Sequence, residues 1–311
     1  MRVVFMGTPD FSVPTLEHIV EAGHEVVGVV TQPDKPKGRG KEVIFSAVKV
    51  KAMELGIPVY QPVKVKEASF LEELTRMQPD IIVVIAFGQI LSKAVLDLPK
   101  YGCINVHASL LPKYRGSAPI QWTIIDGEKV TGVTTMFMDV GIDTGDMLKK
   151  VEVPIEDDET GQTLHDKLSA AGAKLLVETL VELQNGTAIR QKQDDSLSNY
   201  VSILTKSIGS IDFSKSAVEI ERLIRGLNPW PSAYTSLNGK TLKIWSAKVM
   251  DMEADGENGQ IIDVTKDAIL VKTGKGILAL KEIQLEGKKR MTVDAFLRGF
   301  SIEKGIVLTD K

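Results

Sequence analysis

Short apolar runs alternate with helix-like patterns over the first half of the chain. The runs, rich in β-branched residues, lie at residues 2–7, 25–32, 58–61, 80–88, 102–108 and 133–138. The run at 80–88 is apolar without alternation, which is typical of a strand covered on both faces. Helices are expected at 11–22, 46–55 and about 160–184. This order predicts an open, mostly parallel, Rossmann-like α/β sheet.

The pattern changes at about residue 190. Residues 190–209 are polar and weakly periodic and are interpreted as a linker. A helix at 216–226 then precedes short β runs at 233–237, 241–249, 259–265, 268–273 and 276–285. The Asn238-Gly239 pair between the first two runs is a strong hairpin signal. We therefore expect a catalytic domain over 1–189 and a small OB-like β-barrel over 210–311.

Composition narrows the class of protein. The chain has 311 residues, of which 43% are hydrophobic and 25% charged, as in ordinary soluble proteins. No apolar stretch has the length of a membrane span, and the N-terminus resembles a strand more than a signal peptide. Cys103 is the single cysteine, so an intrachain disulfide and a cysteine metal cluster are excluded. We expect a cytoplasmic protein without a metal ion or a membrane partner.

Charge is distributed unevenly along the chain. The net charge is −3, but residues 34–51 hold six Lys and Arg against two acids, and residues 206–311 hold 17 against 14. A basic loop and a mildly basic second domain could together bind a polyanion, although a charge run in a loop can equally serve only to solvate it.

An Asn-x-His pair ends the fifth apolar run. Asn105 and His107 are two residues apart, so on a strand their side chains point the same way. Ligands of open α/β sheets bind beyond the carboxyl ends of the strands, where this pair falls. An amide donor beside an imidazole suits chemistry at a carbonyl group, because one can hold an oxyanion while the other handles a proton. The alternative is a structural histidine.

A Gly-flanked acidic loop, Asp-Val-Gly-Ile-Asp-Thr-Gly-Asp at residues 139–146, follows the sixth run. It places Asp143 near the expected crevice, where an acid would orient the His107 ring. For Asp139 and Asp146 the simpler interpretation is a role in a turn or a cap.

Several catalytic motifs are missing. Gly-Thr-Pro-Asp-Phe-Ser at 7–12 lacks the second and third glycines of a dinucleotide fingerprint, and there is no P-loop, nucleophile elbow or His-Glu-x-x-His. Covalent catalysis is therefore disfavoured, and direct attack by a nucleophile of the substrate is favoured.

Assembled, these residues resemble the methionyl-tRNA formyltransferase family over essentially the whole chain. Asn-Val-His-Ala-Ser-Leu-Leu-Pro at 105–112 and Asp-Val-Gly-Ile-Asp-Thr-Gly at 139–145 are specific for enzymes that use formyl-tetrahydrofolate. Relatives acting on glycinamide ribonucleotide or UDP-amino sugars, or hydrolysing the folate, share them. Gly-Thr-Pro-Asp-Phe at 7–11, the basic loop at 32–41 and Asn-Pro-Trp-Pro at 228–231 point to the tRNA enzymes.

The resemblance implies a reaction and three catalytic residues. A formyl group would move from 10-formyltetrahydrofolate to the α-amino group of methionyl initiator tRNA. Asn105 would hydrogen-bond the formyl oxygen as it becomes an oxyanion. His107 would assist, and Asp143 would orient His107 and relay the proton of the attacking ammonium.

The resemblance also implies binding residues. The folate site would comprise Phe87, Gly88, Gln89, Ser109, Leu110, Leu111, Pro112 and Asp139. Contacts to tRNA would come from Lys35, Lys37, Arg39, Lys41 and Lys206, the last being the only match to a lysine-rich linker motif. Phe11 would help to form a methionyl pocket. We expect a monomer.

Three rival functions remain open. A formyltransferase acting on a small amine would have no use for the basic loop. A non-catalytic tRNA- or folate-binding protein would not need Asn105, His107 and Asp143 together. A dinucleotide-dependent oxidoreductase comes last, because the glycine fingerprint is absent.

Overall fold

The computed structural model describes residues 1–37 and 42–309, with main-chain structure only at 35–37 and 42. Its strands are β1 (Arg2–Gly7), β2 (Glu25–Val30), β3 (Lys35–Lys37), β4 (Glu42–Ile44), β5 (Val59–Tyr60), β6 (Ile81–Ile85), β7 (Cys103–His107), β8 (Arg115–Gly116), β9 (Val130–Phe137), β10 (Met147–Pro154), β11 (Tyr200–Val201), β12 (Ala233–Leu237), β13 (Lys240–Met250), β14 (Ile261–Val264), β15 (Ile269–Lys272), β16 (Ile277–Leu285) and β17 (Met291–Thr292).

Its α-helices are α1 (Val13–Glu21), α2 (Ala47–Glu54), α3 (Ala68–Met77), α4 (Lys93–Leu96), α5 (Pro119–Asp126), α6 (Gly161–Asn185), α7 (Ala217–Gly226) and α8 (Val293–Leu297). Short 3₁₀ turns lie at Asp10–Ser12, Asp195–Leu197 and Lys206–Gly209. Within the described residues, no helix is both long and apolar enough to cross a membrane.

The main sheet has the strand order β10-β9-β7-β6-β1-β2-β5. The five strands from β7 to β5 are parallel, while β9 runs antiparallel to β7 and β10 antiparallel to β9. The predicted mostly parallel sheet is confirmed. Every residue of β6 is buried, as expected for an apolar run without alternation at the middle of a sheet.

Three of the predicted helices, α2, α6 and α7, have nearly the predicted bounds. Helix α2 begins after Ser46, whose side chain accepts the Lys49 N–H as an N-cap. Helix α6 spans 25 residues, close to the predicted bounds. The helix predicted over 11–22 is a 3₁₀ turn followed by α1. Strand β10 and helices α3, α4 and α5 were not predicted.

The second sheet is antiparallel, with the order β12-β13-β16-β15-β14 and β17 added to β16. Leu237 pairs with Lys240 across a two-residue turn in which Asn238 and Gly239 both have positive φ, so the predicted hairpin is confirmed. Ile220 and Ile224 of α7 belong to the buried core of this sheet.

The chain divides into two units, each assembled from three segments. The first unit comprises Met1–Gly116, Val130–Pro154 and His165–Val201, and the second comprises Ser117–Lys129, Ile155–Leu164 and the chain from Ser202 onward. Residues 190–201, which the sequence suggested were linker, belong to the first unit, because β11 pairs in parallel with β8. The boundaries at 189 and 210 stay a prediction.

A capping box at the start of α7 generates a stability prediction. The Ser216 hydroxyl accepts the Glu219 N–H, and the Glu219 carboxylate accepts the N–H and the O–H of Ser216. Replacing Ser216 with Ala should lower the free energy of unfolding by about 1 kcal/mol at pH 7, measured by urea denaturation.

The same contacts predict how this loss depends on pH. The hydroxyl and then the N–H of Ser216 lower the pKa of Glu219, so its stabilisation is present above the unfolded pKa and is lost as pH falls through the folded one. The cost of Ser216→Ala should therefore shrink between pH 7 and pH 3. Ser202→Ala, at an exposed position, is the control, and an equal cost in both variants would contradict the capping role.

Candidate active site

Strand β7 carries two polar side chains in the middle of the main sheet. Asn105 lies opposite Val84 of β6 and Met136 of β9, and His107 lies opposite Thr134 of β9. The two side chains share one face because they are two residues apart. Asn105 is half-buried, and His107 is only 6% exposed.

Asp143 comes back to this pair from the loop after β9. Its Oδ1 accepts a hydrogen bond from Asn105 Nδ2 at 3.3 Å, and its Oδ2 lies 3.6 Å from His107 Nδ1. The same Oδ2 accepts the N–H of Gly116 at 2.8 Å. The structure thus brings the Asp143 carboxylate to the amide and the imidazole of β7, although Asp143 lies 38 residues after Asn105 in the sequence.

The second nitrogen of His107 is held by the main chain. Its Nε2 lies 2.8 Å from the carbonyl oxygen of Tyr114. A carbonyl oxygen can only accept, so Nε2 carries the proton, and a neutral ring presents the Nδ1 lone pair towards Asp143.

A cleft of about 710 Å³, within the size range of small-molecule sites, lies at the start of β7 and the start of the Asp143 loop, and Asn105, His107 and Asp143 are not in its lining. Cys103, two residues before Asn105 on β7, lines it together with Met138, Asp139 and Val140. Burial raises the pKa of the Cys103 thiol to about 12, so the thiol stays protonated. The rim includes Lys93, Lys100 and Arg190, of which Lys93 pairs with Asp97 and Arg190 with Asp146.

The residues predicted to bind folate occupy different environments. Ser109 and Leu111 are fully buried, Leu111 in a small core with Met136 and Met147, whereas Leu110 and Pro112 are half-buried. Ser109 Oγ donates to the carbonyl of Lys113 at 2.7 Å. These contacts give this segment a fixed shape, and its contact with folate stays a prediction.

The second predicted folate segment follows β6. Phe87 is buried, and its carbonyl accepts hydrogen bonds from Thr8 Oγ1 and Gln32 Nε2. Gly88 is exposed. The Gln89 side chain is engaged with the main chain, since its Oε1 accepts the Val65 N–H and its Nε2 donates to the Pro62 carbonyl.

Asp139 is exposed at the cleft and shapes its own loop. Its Oδ1 accepts the Gly141 N–H at 2.9 Å and the Thr144 hydroxyl at 2.6 Å. Of the eight residues predicted to bind folate, Asp139 is the one that lines the described cleft.

The other predicted residues are scattered. Lys35 and Lys37 lie on β3, and Arg39 and Lys41 lie outside the described residues. Lys206 is exposed at the start of a 3₁₀ turn of the second unit. Phe11 is buried and packs edge-on against the ring of His165, with centroids 5.2 Å apart.

Sequence reasoning missed the residues that hold the site in shape. Residues 193–201, which we call the strap, pass over β8 and the Asp143 loop. Arg115, at 2% exposure, donates through Nε and Nη2 to Gln193 Oε1 at 3.0 and 2.8 Å, and through Nη2 to Asp195 Oδ1 at 2.8 Å. Arg115 and Gln193 are 78 residues apart, and no spacing in the sequence connects them.

Two protein-family models match this chain. The family described as "Formyl transferase" matches residues 1–180, and "Formyl transferase, C-terminal domain" matches residues 203–301. A methionyl-tRNA formyltransferase from Agathobacter rectalis is 60% identical over 99% of this chain and 100% of its own length, and one from Clostridioides difficile is 54% identical over 99% and 100%. The chain belongs to the methionyl-tRNA formyltransferase family.

Solved structures with lower identity share the fold of this family. An N-formyltransferase from Helicobacter canadensis, solved with folinic acid and dTDP-3-aminofucose, has a TM-score of 0.67 at 22% identity and covers 90% of this chain and 99% of its own. HypX from Aquifex aeolicus, solved with tetrahydrofolic acid, has a TM-score of 0.65 at 16% identity, covering 99% of this chain and 50% of its own. Among the described residues, no group of His, Cys, Asp or Glu is suited to hold a metal ion.

The contact with Tyr114 predicts the tautomer of His107. When neutral, His107 should carry its proton on Nε2, because the Tyr114 carbonyl accepts from that nitrogen. The two ring nitrogens have different ¹⁵N chemical shifts, so two-bond ¹H–¹⁵N correlation spectra of histidine-labelled protein will report the tautomer.

His18 is the matched control for this measurement. Its Nδ1 lies 2.9 Å from the carbonyl of Pro14, so its neutral ring should show the opposite tautomer, with the proton on Nδ1. A His107 resonance with the same pattern as His18 would contradict the assigned contact.

Proposed function

We propose that this chain transfers a formyl group from 10-formyltetrahydrofolate to the α-amino group of methionyl initiator tRNA, giving N-formylmethionyl-tRNA. The observation that carries the proposal is the convergence of the Asn105, His107 and Asp143 side chains. The acceptor is proposed from the relatives, which are methionyl-tRNA formyltransferases at up to 60% identity, and from the basic loop.

Asn105 is suited to stabilise the oxyanion. Its amide nitrogen has two N–H groups, and the bond to Asp143 Oδ1 uses one of them. The second can donate to the formyl oxygen as an amine attacks the formyl carbon and negative charge develops on that oxygen. Because Asp143 fixes the amide, the donor is oriented before the reaction starts.

His107 and Asp143 are suited to move the protons. When the neutral amine has added to the formyl carbon, its nitrogen is an ammonium and must lose a proton. Collapse of the tetrahedral adduct then breaks the bond between the formyl carbon and N10 of the folate, and N10 takes up a proton. The Nδ1 lone pair of His107 and the Asp143 carboxylate face each other at 3.6 Å, so a proton released between them can be held and passed on, through water where needed.

The cleft is the proposed site of the folate. Its lining includes Cys103, two residues before Asn105 on β7, and Asp139, which opens the loop that carries Asp143. A folate bound there would have to extend beyond this lining to reach Asn105, His107 and Asp143. Main-chain groups of the loop from Asp139 to Asp143 would read the edge of the pterin. Ser109, Leu110, Leu111, Pro112, Phe87, Gly88 and Gln89 are proposed as the flanking segments.

The tRNA is proposed to contact the basic loop and the second unit. Lys35, Lys37, Arg39 and Lys41 would reach the acceptor stem, and Lys206 with the second unit, proposed to be an OB-like barrel, would contact phosphates. Phe11 is proposed for the methionyl pocket. The enzyme is further proposed to be monomeric and cytoplasmic and to need no metal ion.

An acceptor panel tests this function. The purified protein is given 10-formyltetrahydrofolate with charged initiator tRNA, elongator Met-tRNA, glycinamide ribonucleotide or a UDP-amino sugar, and formyl incorporation is followed. We expect transfer to initiator Met-tRNA. Asn105→Ala should lower the rate on the order of a hundredfold or more, because one oxyanion donor typically contributes ~2.7–4 kcal/mol.

Gln284→Ala is the control, since it removes an amide from β16 of the second unit, where Nε2 bonds the carbonyl of Lys288. It should leave the rate unchanged. Transfer only to a small amine would overturn the tRNA assignment, and equal rates for the wild type and Asn105→Ala would overturn the catalytic one.

The basic loop predicts a dependence on salt. If its cations neutralise phosphates, the Michaelis constant for tRNA should rise steeply with salt concentration while that for the folate hardly moves. Replacing Lys37 with Ala should lower the slope of log KM against log salt concentration by about one. Lys174→Ala, which removes an exposed lysine of α6, should leave the slope unchanged. A slope insensitive to Lys37 would exclude this contact.

A further inference from the structure

The strap, residues 193–201, contacts the supports of both His107 and Asp143. We propose that Gln193 and Asn199 are positioning residues for formyl transfer, acting through the main chain around Asp143 and Tyr114, an inference that rests on the proposed function. Neither side chain touches the reacting groups directly. Gln193 bonds the main chain of Asp143. Asn199 bonds the main chain of Tyr114, whose carbonyl orients His107.

Gln193 is buried and uses all four of its hydrogen-bonding positions. Its Oε1 accepts two hydrogen bonds from Arg115, and its Nε2 donates to the carbonyls of Asp143 and Gly145, both at 2.8 Å. The amide cannot be turned over, because its NH₂ would then face the guanidinium and its oxygen two carbonyls. The orientation of the Asp143 main chain is therefore set by a single amide.

This support matters because Asp143 has an unfavourable backbone conformation. Its φ is 55°, in the left-handed region that non-glycine residues rarely occupy. The Gln193 bond holds its carbonyl, and the Gly116 N–H holds its carboxylate. Without the first bond the loop can relax to a more common conformation, and Oδ1 would leave Asn105.

The other end of the strap acts on the histidine. Tyr114 is also left-handed, with φ 59°. Asn199 Oδ1 accepts the N–H of Tyr114, and the Asn199 carbonyl accepts the N–H of Arg115 at 3.0 Å. The Tyr114 carbonyl is the group that receives the Nε2 proton of His107. Asn199 thereby determines where the His107 ring is held.

The two contacts lie in one short segment, which explains how the separate loops keep a common geometry. The strap is fixed to β8 by the parallel pair of β11 and by Arg115, whose guanidinium also contacts Asp195 and the Tyr200 hydroxyl. The strap therefore holds both the segment that follows β7 and the Asp143 loop. A displacement of the strap would change the distance between the imidazole and the carboxylate.

Substitutions in the full-length protein test this inference. Gln193→Glu keeps an acceptor for Arg115, so the fold should persist, but it replaces the donors to the Asp143 and Gly145 carbonyls with an oxygen. Measured well below the melting temperature, kcat should fall about tenfold to a hundredfold, the typical effect of a misplaced catalytic group, with both Michaelis constants close to those of the wild type. The melting temperature should fall as well, because two buried hydrogen bonds are lost.

Asn199 provides a matched pair, and Leu197 provides the control. Asn199→Ala should lower kcat and shift the ¹⁵N resonances of the His107 ring, whereas Asn199→Asp, which keeps the Oδ acceptor, should preserve both. Leu197→Ala alters a strap side chain that is 63% exposed and should change neither.

The outcomes separate this inference from the proposed function. A wild type that formylates none of the acceptors refutes the function, and the strap is then judged by the His107 resonances alone. An active wild type with an unaffected Gln193→Glu refutes the positioning role of Gln193. Losses of rate that follow only losses of melting temperature, with unmoved His107 resonances in Asn199→Ala, refute the positioning role of the strap.

Discussion

The register of β7 between β6 and β9 is the constraint on which the site depends. Asn105 is paired with Val84 on one side and Met136 on the other, and this places it and His107 on the face where the Asp143 loop returns. A slip of one residue would put Val106 there and turn both polar side chains to the opposite face. The opposite face of β7 is buried at Ile104 and Val106, so a slip would place the amide and the imidazole among apolar side chains, which is unfavourable.

Strain and its compensation lie close together in this unit. Tyr114 and Asp143 each have positive φ, a conformation that costs of order 1–3 kcal/mol for such residues. Hydrogen bonds, each contributing about 0.5–1.5 kcal/mol net, offset this cost. They come from Asn199 and Gln193. The geometry of the polar groups is thus maintained by contacts around them, with His107 and Asp143 left directed at each other.

Much of the fold follows from local patterns in the sequence, and much of the site does not. The six apolar runs became strands of the main sheet, and the two-residue spacing placed Asn105 beside His107. Strand β10, Met147–Pro154, was missed because it lies at the sheet edge with lysine and glutamate among its apolar residues. The strap was missed because Arg115 and Gln193 bond across 78 residues, and polar segments without periodicity carry no local signal of such pairing.

The interleaving of the two units limits how this chain can be exchanged with its relatives. Residues Ser117–Lys129 and Ile155–Leu164 belong to the second unit although they precede much of the first, and Trp122 and Ile125 of α5 pack there with Leu223 of α7. A chimaera joined at a single point after Val201 would therefore carry a native strap but a mismatched α5. Recombination that preserves both cores has to transfer the three segments of the second unit together. We therefore expect the sequences of the two units to change together during evolution.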